Sequence, residues 1–451
     1  MRHSVRAGHR ARFMSMPLTT SVVALLALSG CGAPGSGAAA ESSDEDRQSI
    51  TEEVTPEQIA DLGDVTLSVW ADQAEEGLME EVVPAFEDEY PNVTVDVTYK
   101  SFDDLIATVV NAAASSSPPD LFQGNIGHAV DGALVKGDLV RPLDDVADVY
   151  GWEEGTGAST LDPARWNDEG SAFGSGTLYG MSPISEVQGI YYNKEKLEEL
   201  NLTAPDSVED LEAGAAAADE AGEQAIMLGN SDQYAATHIF SDIAATTQDP
   251  ADIAAWIGGD PDATFETEGN AEAAQTMAAW ADAGYFGPGY DGISNQDAIA
   301  RFADGEGVYF VGGSWNGAPL NSEEFGFGSL TSGGVGATAS PWHISSSTDA
   351  ELPAIAFLET LHSPEVGQQI LDTGRLPVVT DGVTADDPLE EQTLTALEET
   401  IEAGTQVGYY DWATTDMLNQ MGGTLQEVMA GRVSPEEFTE QVQEVWAEAH
   451  G

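Results

Sequence analysis

Residues 65–99 read VTLSVWADQAEEGLMEEVVPAFEDEYPNVTVDVTY and decide the fold class. Apolar and polar residues alternate over 65–69, which predicts a strand that continues into Trp70. Apolar residues recur three or four positions apart over 78–90, which predicts an amphipathic helix that ends at Pro91-Asn92. Residues 93–99 alternate again. A strand, a helix and a second strand in this order predict two parallel strands joined by a crossover helix.

The rest of the chain repeats this order of elements. A predicted helix over 105–110 ends before Ser117-Pro118-Pro119, and a short strand over 120–122 then opens into Gln123-Gly124-Asn125. Further strands and helices are predicted at 189–192, 194–200, 225–228, 271–283 and 307–311. Ser-Pro-Glu at 363–365 and 434–436 marks two helix starts, because serine caps a helix and proline suits its first position. The pattern is that of an α/β fold.

The composition limits the classes of function. The chain has 451 residues, enough for two or three domains, and its 14 basic and 79 acidic residues give a net charge of −65. This charge excludes nucleic acid as a partner, because phosphate contacts need lysine and arginine. It also disfavours anionic ligands and anionic membrane surfaces. The single cysteine, Cys31, leaves no disulfide framework and no cysteine-based metal site.

The N-terminus has the pattern of an export signal. Residues 1–16 contain four arginines and no acidic residue, and an apolar run over 22–28 follows that is too short to span a bilayer. The next residues, Leu28-Ser29-Gly30-Cys31, resemble the lipobox of bacterial lipoproteins, in which the cysteine is lipidated. We therefore predict a signal peptide over 1–30, a palmitate-type lipid anchor on Cys31 and a flexible acidic tether over 31–63. The alternative is an ordinary cleaved signal with an incidental cysteine.

The strong acidity has two interpretations. Excess carboxylates keep a protein hydrated in high salt, or they serve a cationic ligand. The acidic residues are spread along the whole chain. This distribution favours the high-salt, halophilic interpretation.

Several short motifs together carry a family resemblance. They are AFEDEYPNV (85–93), PDLF (119–122), LVRPLDD (139–145), YGMSP through IYYNK (179–194), FADGEG through GSW (302–315) and GRLP (374–377). In this order and behind a lipobox, they resemble the carbohydrate-type extracellular solute-binding proteins (family 1) of ABC importers, which include maltose-binding protein. The resemblance covers nearly all of residues 64–450. Met181-Ser182-Pro183 departs from the family, where a hydrophobic residue more often precedes the proline.

The resemblance implies a two-lobe, periplasmic-binding-protein-like α/β fold with a hinge and a ligand cleft between the lobes. It places lobe one at 64–179 with 337–377 and lobe two at 180–336 with 378–451. It implies a monomeric, lipid-anchored protein on the extracytoplasmic face of the membrane. This protein would capture a monosaccharide or oligosaccharide and deliver it to an ABC permease, without a cofactor.

The candidate site residues are polar or aromatic residues that follow strands. A sugar needs paired donors and acceptors for its hydroxyls and flat apolar faces for its ring. The set is Asp72, Gln73, Gln123, Asn125, Glu186, Gln233, Tyr234, Trp315, Asn316, Trp342, Arg375, Tyr410 and Trp412. For Glu186, Tyr234 and Trp315 the resemblance adds that relatives place cleft residues there.

Each candidate also has a structural alternative. Asp72 and Gln73 suit a helix start, and Arg375 suits an ion pair with a neighbouring acid. Trp342 suits packing at the hinge. Glu186 is one acid among 79 on a solvated surface.

A surface glycan-degrading enzyme is the alternative from another class. A glycosidase needs two carboxylates facing each other about 5–10 Å apart, which the sequence does not reveal. The chain has no His-Glu-x-x-His motif, and Gly333-Gly334-Val335-Gly336 lacks the lysine of a phosphate-binding loop. We therefore expect no catalytic residues and no metal site. Among binders, the alternative ligands are a polyol, glycerol-phosphate or a polyamine.

Overall fold

The computed structural model describes residues 49–153, 160–330, 335–338, 340–403 and 406–451. The predicted signal peptide, Cys31 and the tether up to residue 48 lie outside these ranges. Within the described ranges, no helix combines the length and the apolar character needed to cross a membrane.

The strands are numbered in chain order. They are β1 (Val65–Asp72), β2 (Val93–Lys100), β3 (Leu121–Gln123), β4 (Arg165–Trp166), β5 (Thr177–Leu178), β6 (Ile184–Ser185), β7 (Gln188–Asn193), β8 (Ile226–Met227), β9 (Tyr309–Gly313), β10 (Phe325–Gly328), β11 (Trp342–Ile344) and β12 (Leu376–Pro377).

The helices are numbered in the same way. They are α1 (Pro56–Ala60), α2 (Glu76–Glu89), α3 (Phe102–Ala113), α4 (Asp131–Lys136), α5 (Asp144–Tyr150), α6 (Lys194–Leu200), α7 (Val208–Ala221), α8 (Tyr234–Ala245), α9 (Pro250–Gly258), α10 (Glu268–Ala283), α11 (Asn295–Ala303), α12 (Glu351–Leu361), α13 (Pro364–Asp372), α14 (Pro388–Ala403), α15 (Met417–Met429) and α16 (Pro435–His450).

The first sheet has the strand order β11-β3-β1-β2. β1 pairs in parallel with β2 over its whole length, from Val65↔Val93 to Asp72↔Lys100, and it pairs in parallel with β3. The predicted strand–helix–strand unit is thus confirmed. β11 pairs with β3 in the antiparallel direction, and its three residues are too few to show alternation in the sequence.

The second sheet is mixed, with the order β10-β7-β9-β8. Only β8 and β9 are parallel, whereas β7 is antiparallel to both β9 and β10. The prediction of parallel strands was therefore wrong for this sheet. The physical reason is that the chain returns to β7 through long helical excursions, so strand direction does not follow from the local order of elements.

Each sheet has its own apolar core. Leu67 and Val69 of β1 pack with Phe86 of α2 and Phe357 of α12 around the first sheet. A larger cluster around the second sheet joins β7 and β9 to α7, α8, α10, α15 and α16. The predicted helix start at Ser434 is confirmed for α16, where Ser434 and Glu437 form a capping box by bonding each other's backbone N–H.

Three segments run between the two sheets and are called the crossing segments. They are residues 179–188, which lead to β7, residues 335–338 with 340–342, which lead to β11, and residues 376–379, which lead from α13 towards α14. The crossing segments bond to one another, because β6 pairs with β12 and bridges join Ser185 to Thr338 and Met181 to Trp342. They form the connection that the resemblance predicts as a hinge.

Part of the predicted tether is packed on the protein. The Ile50 N–H donates to Asp145 at 2.8 Å, and the Val54 N–H donates to the Tyr150 hydroxyl at 2.8 Å. Thr55 caps α1, and Ile59 within it is fully buried. Residues 50–60 therefore pack beside α5. The acidic composition of the segment predicted a tether, but its apolar residues and capping box allow it to pack on the protein.

Candidate functional site

The carboxyl ends of β1 and β3 place polar side chains at one edge of the first sheet. The Asp72 N–H donates to Gln123 Oε1 at 2.7 Å, and Gln123 Nε2 donates to Glu75 Oε1 at 3.1 Å. Gln123 and Glu75 are both buried, each with 1% of its surface exposed. The Asp72 carboxylate accepts the Ala74 N–H at 3.0 Å, so it also caps the short helix that follows.

The third crossing segment brings a cation to this edge. Arg375, directly before β12, donates from Nη1 to Glu75 Oε1 at 2.6 Å. The other carboxylate oxygen of Glu75 is buried and has no hydrogen-bond partner among the described residues. The pair is therefore an ion pair that is enclosed on the glutamate side and partly open on the arginine side.

The first crossing segment brings a carboxyl group to the same place. The Glu186 N–H donates to the Ala337 carbonyl at 3.0 Å, which fixes its backbone to the second crossing segment. Burial raises the pKa of Glu186 to about 7, against the opposing effect of the Arg375 guanidinium. Glu75 adds a smaller upward effect. Glu186 therefore titrates near neutral pH beside the Arg375–Glu75 pair.

Asp72, Glu75, Gln123, Glu186 and Arg375 are called the polar set. An aromatic cluster lies at the carboxyl end of β9 and consists of Tyr234, His238, Trp315, Tyr409 and Trp412. His238 stacks on Tyr409 with 4.3 Å between ring centroids. Trp315 stands edge-on to both, at 5.8 Å and 6.0 Å.

Tyr234 and Trp412 flank these three rings. Tyr234 lies 5.3 Å from His238, and Trp412 lies 5.0 Å from Tyr409. Tyr234 and Trp315 are partly exposed, whereas Tyr409 and Trp412 are buried. Tyr234 and Trp315 are therefore the partly exposed aromatic rings of this packed cluster.

The polar set and the aromatic cluster are electrostatically coupled through Glu186. Burial raises the pKa of Tyr409 well above its ordinary value, and the carboxyl groups of Glu186, Asp242 and Asp411 add to this effect. The charge of Glu186 thus interacts with Arg375 and Glu75 in the polar set and with Tyr409 in the aromatic cluster. The carboxylate of Asp103, at the start of α3 beside the first sheet, likewise raises the pKa of Tyr234.

A backbone contact joins the two sides as well. The His128 N–H, in the loop after β3, donates to the Trp412 carbonyl at 3.2 Å. Gly127 in the same loop has a φ of 104°, and a Cβ there would lie 2.9 Å from Trp412. Only glycine suits both the conformation and the contact.

Residues 81–396, more than half of the chain, match the family model of bacterial extracellular solute-binding proteins. The chain belongs to this family. The resemblance predicted from the sequence motifs is therefore confirmed at the level of the family. This is a family of binding proteins. No curated protein sequence matches the chain.

Solved structures similar to the solute-binding protein share its fold. A chitin oligosaccharide binding protein has a TM-score of 0.70 at 19% identity, covering 85% of this chain and 99% of that one. A structure from a study of xylan utilization by Caldanaerobius polysaccharolyticus has a TM-score of 0.71 at 20% identity, covering 84% and 99%. The GacH receptor of Streptomyces glaucescens, studied unliganded and with acarbose, has a TM-score of 0.66 at 18% identity, covering 86% and 98%. The predicted two-lobe, periplasmic-binding-protein-like α/β fold is confirmed.

The structure brings most predicted residues of the solute-binding protein to this region. Asp72, Gln123, Glu186 and Arg375 lie in the polar set, and Gln73 is exposed next to Asp72. Tyr234, Trp315 and Trp412 lie in the aromatic cluster, and buried Asn316 follows Trp315. Their contact with a ligand stays a prediction.

Other predicted residues have partners within the protein. The Gln233 side chain donates to Gln426 at 3.2 Å, and the Asn125 N–H donates to Asp131 at 2.9 Å. The Tyr410 hydroxyl donates to Asn270 at 3.0 Å inside the second core. Trp342 is fully buried and pairs in register with Gln123, which favours the hinge-packing alternative.

The sequence reasoning missed four residues of this region, namely Glu75, His238, Tyr409 and Asp411. His238 lies four residues after Tyr234, so helical spacing could have found it. His238 Nε2 lies 3.5 Å from Asp411 Oδ1. Nothing in the sequence distinguishes Glu75 from the adjacent Glu76, or Tyr409 from Tyr410.

Two further observations concern other kinds of site. Among the described residues, no group of three histidine, cysteine, aspartate or glutamate side chains is placed to hold a metal ion. A cavity of about 380 Å³ lies elsewhere in the protein, lined in part by Met227, Tyr290 and Arg301. Lys196 also lines this cavity and pairs with Glu223.

Proposed function

We propose that this solute-binding protein is the lipid-anchored receptor of an ABC importer and that it binds a sugar between two lobes. The supporting observation is that the partly exposed Trp315 and Tyr234 rings belong to the aromatic cluster, which is electrostatically coupled to the polar set through Glu186, itself partly exposed. Aromatic faces suit the C–H face of a pyranose, and carboxyl and amide groups suit its hydroxyls. The protein would then pass the sugar to a separate permease unchanged.

The lobe boundaries are part of this proposal. Lobe one comprises 64–179 with 337–377 and contains the strands of the first sheet. Lobe two comprises 180–336 with 378–451 and contains the strands of the second sheet. The bonded crossing segments suit a hinge, so closure on a ligand would bring the polar set and the aromatic cluster together over it.

The charges of the region support a neutral ligand over an anionic one. Arg375 is paired with Glu75 at 2.6 Å, and Glu186, Asp411 and Asp103 lie near the aromatic rings. A phosphate or a uronate entering here would meet carboxyl groups without a free cation among these neighbours. Glycerol-phosphate is accordingly disfavoured as a ligand.

The structural neighbours support the ligand class. Proteins of the same fold bind chitin oligosaccharide or acarbose according to their published descriptions. At 18–19% identity they show the fold alone, so they guide the choice of ligands to test. Chitin oligosaccharides, xylan fragments and α-glucan oligosaccharides are the first candidates.

The anchor is proposed from the sequence Leu28-Ser29-Gly30-Cys31. Lipidation at Cys31 would leave a linker of fewer than 20 residues before Ser49, where the described structure begins. Replacing Cys31 with serine should release the protein from the membrane fraction.

A thermal-shift screen tests the proposal. Purified protein is heated with monosaccharides, disaccharides and oligosaccharides in low and in high salt, and hits are confirmed by calorimetry. We expect a saturable rise in Tm with at least one saccharide and recovery of that saccharide unchanged. No shift with any saccharide, or appearance of cleavage products, would contradict the proposal.

A further inference from the structure

A buried pair of titratable side chains lies beneath the loop that follows β3. Asp131 is the first residue of α4, and His343 is the central residue of β11. His343 Nε2 lies 3.2 Å from Asp131 Oδ1, and the two side chains are 1% and 0% exposed. Neither residue belongs to the polar set or to the aromatic cluster.

The hydrogen-bond partners determine where protons lie in this pair. His343 Nδ1 lies 2.8 Å from the Tyr179 carbonyl oxygen. A carbonyl only accepts, so Nδ1 carries a proton. Nε2 and Asp131 Oδ1 would repel each other as two acceptors at 3.2 Å, so a further proton lies between them.

The pair contacts the loop that carries two candidate ligand residues. Asp131 Oδ1 also accepts the Asn125 N–H at 2.9 Å. A Cβ at Gly124 would lie 2.4 Å from Asp131 Oδ1 and 2.6 Å from His343 Nε2, so the loop backbone lies directly on the pair. Gln123 and Asn125 flank this glycine.

The pair also contacts the hinge region. Tyr179, which accepts from His343, begins the first crossing segment. Two residues further on, Met181 is bridged to Trp342, the neighbour of His343. The same two side chains therefore join the loop after β3, the strand β11 and the first crossing segment.

We propose that Asp131 and His343 share one proton and act as positioning residues that hold the loop after β3 against the first crossing segment. This inference rests on the proposed function, because the loop matters as part of the proposed sugar site. The shared proton keeps the enclosed pair neutral overall, and Asp131 Oδ1 keeps its contacts with His343 Nε2 and with the Asn125 N–H. Asp131 Oδ2 is buried without a hydrogen-bond partner among the described residues. The pair thus maintains one loop geometry across the neutral pH range.

The surroundings of the pair support this assignment. Burial raises the pKa of the Asp131 carboxyl, and His343 and the Asn125 N–H oppose this effect. No other charged group in the described part of the chain acts on Asp131. The ammonium group of Lys136, on the same helix, instead lowers the pKa of His128 and of His450.

Three variants test the shared proton. His343→Asn keeps a donor for the Tyr179 carbonyl but leaves Asp131 with no group to share its proton. Asp131→Asn keeps an acceptor for Asn125 but satisfies His343 only when the imidazole is doubly protonated. Each single variant therefore restores its contacts only by binding an added proton, on Asp131 or on His343. The double variant Asp131→Asn/His343→Asn has no titratable side chain at either position, so its contacts cannot depend on pH.

The first readout is hydrogen exchange at the Asn125 amide in the unliganded full-length protein. From about pH 6 to about pH 9, we expect each single variant to lose about tenfold in protection relative to wild type, which corresponds to one lost hydrogen bond. We expect a constant ratio for the double variant. The ratio to wild type removes the intrinsic pH dependence of exchange.

The second readout is the affinity for a saccharide that binds wild type, again as a ratio to wild type at each pH. This ratio removes the contribution of Glu186, which titrates in the same range. A pH-independent ratio in both single variants would overturn the inference. Should no saccharide bind wild type while Asn125 protection follows the expected pattern, the proposed function fails and the shared proton stands. If one single variant does not fold, the other and the double variant decide by the same criteria.

Discussion

The two sides of the candidate site hold their residues in different ways. The polar set at the end of the first sheet is fixed by hydrogen bonds and an ion pair, with Gln123 and Glu75 fully enclosed. The aromatic cluster is held by ring packing, and Trp315 and Tyr234 remain partly exposed. The comparison indicates that the polar set defines geometry, whereas the aromatic cluster supplies contact area to a ligand.

The largest effect on stability should come from breaking the ion pair. Arg375→Met leaves the carboxylate of Glu75, 1% exposed, without its cation. We expect a loss of about 2–3 kcal/mol in the free energy of unfolding, measured by urea denaturation. The matched control is Arg432→Met, since the Arg432–Glu427 pair is exposed and its loss should leave the midpoint unchanged. Equal effects of both variants would show that the polar set is not a structural element.

The largest effect on ligand affinity should come from Trp315→Ala. Loss of an aromatic contact surface should weaken binding about 30-fold or more. It should also lower Tm, because Trp315 packs against His238 and Tyr409. The control is Tyr285→Ala. Tyr285 is also partly buried, but its carbonyl accepts from Ile226 at the opposite end of the second sheet. Calorimetric titration of both variants with the same saccharide decides the point, and equal losses would remove Trp315 from the site.

The titration of Glu186 should make stability depend on pH. Burial raises its pKa to about 7, above the value near 4.5 of an unfolded chain. The folded state therefore binds an extra proton between these values, so this group lowers stability as the pH rises through the window. Relative to wild type, Glu186→Gln should gain about 2 kcal/mol between pH 5 and pH 8. A pH-independent difference between the two proteins in urea denaturation would contradict this.

The smallest effect separates two neighbouring tyrosines. The Tyr409 hydroxyl has no hydrogen-bond partner among the described residues, whereas the Tyr410 hydroxyl donates to Asn270 at 3.0 Å. Tyr410→Phe should cost about 1 kcal/mol of stability and leave affinity unchanged. Tyr409→Phe should change stability by less than about 0.5 kcal/mol. The reverse order of the two effects would reassign these residues.

The sequence predicted the parts of the fold that depend on local pattern. Alternation located β1 and β2, and spacing located α2. The same reasoning missed β11, because three residues that follow Pro341 show no period. It also predicted only parallel strands. Strand direction in the second sheet depends on how distant parts of the chain come together, which local pattern does not show.

The sequence predicted the candidate site less completely for a related reason. Residues after strand ends were found because they follow local elements, as for Gln123 and Trp315. Glu75 was missed because its burial depends on Arg375, 300 residues away in the chain. Tyr409 was missed because a short helix over Tyr410–Ala413 decides which tyrosine faces His238.

The most direct test of the central claim is a crystal structure with the saccharide that binds most tightly in the thermal-shift screen. We expect the sugar ring within about 4 Å of the Trp315 indole face and hydrogen-bonded to at least one member of the polar set. A saccharide bound instead in the cavity lined by Met227 and Arg301, with the Trp315 face free, would contradict the assignment of the site.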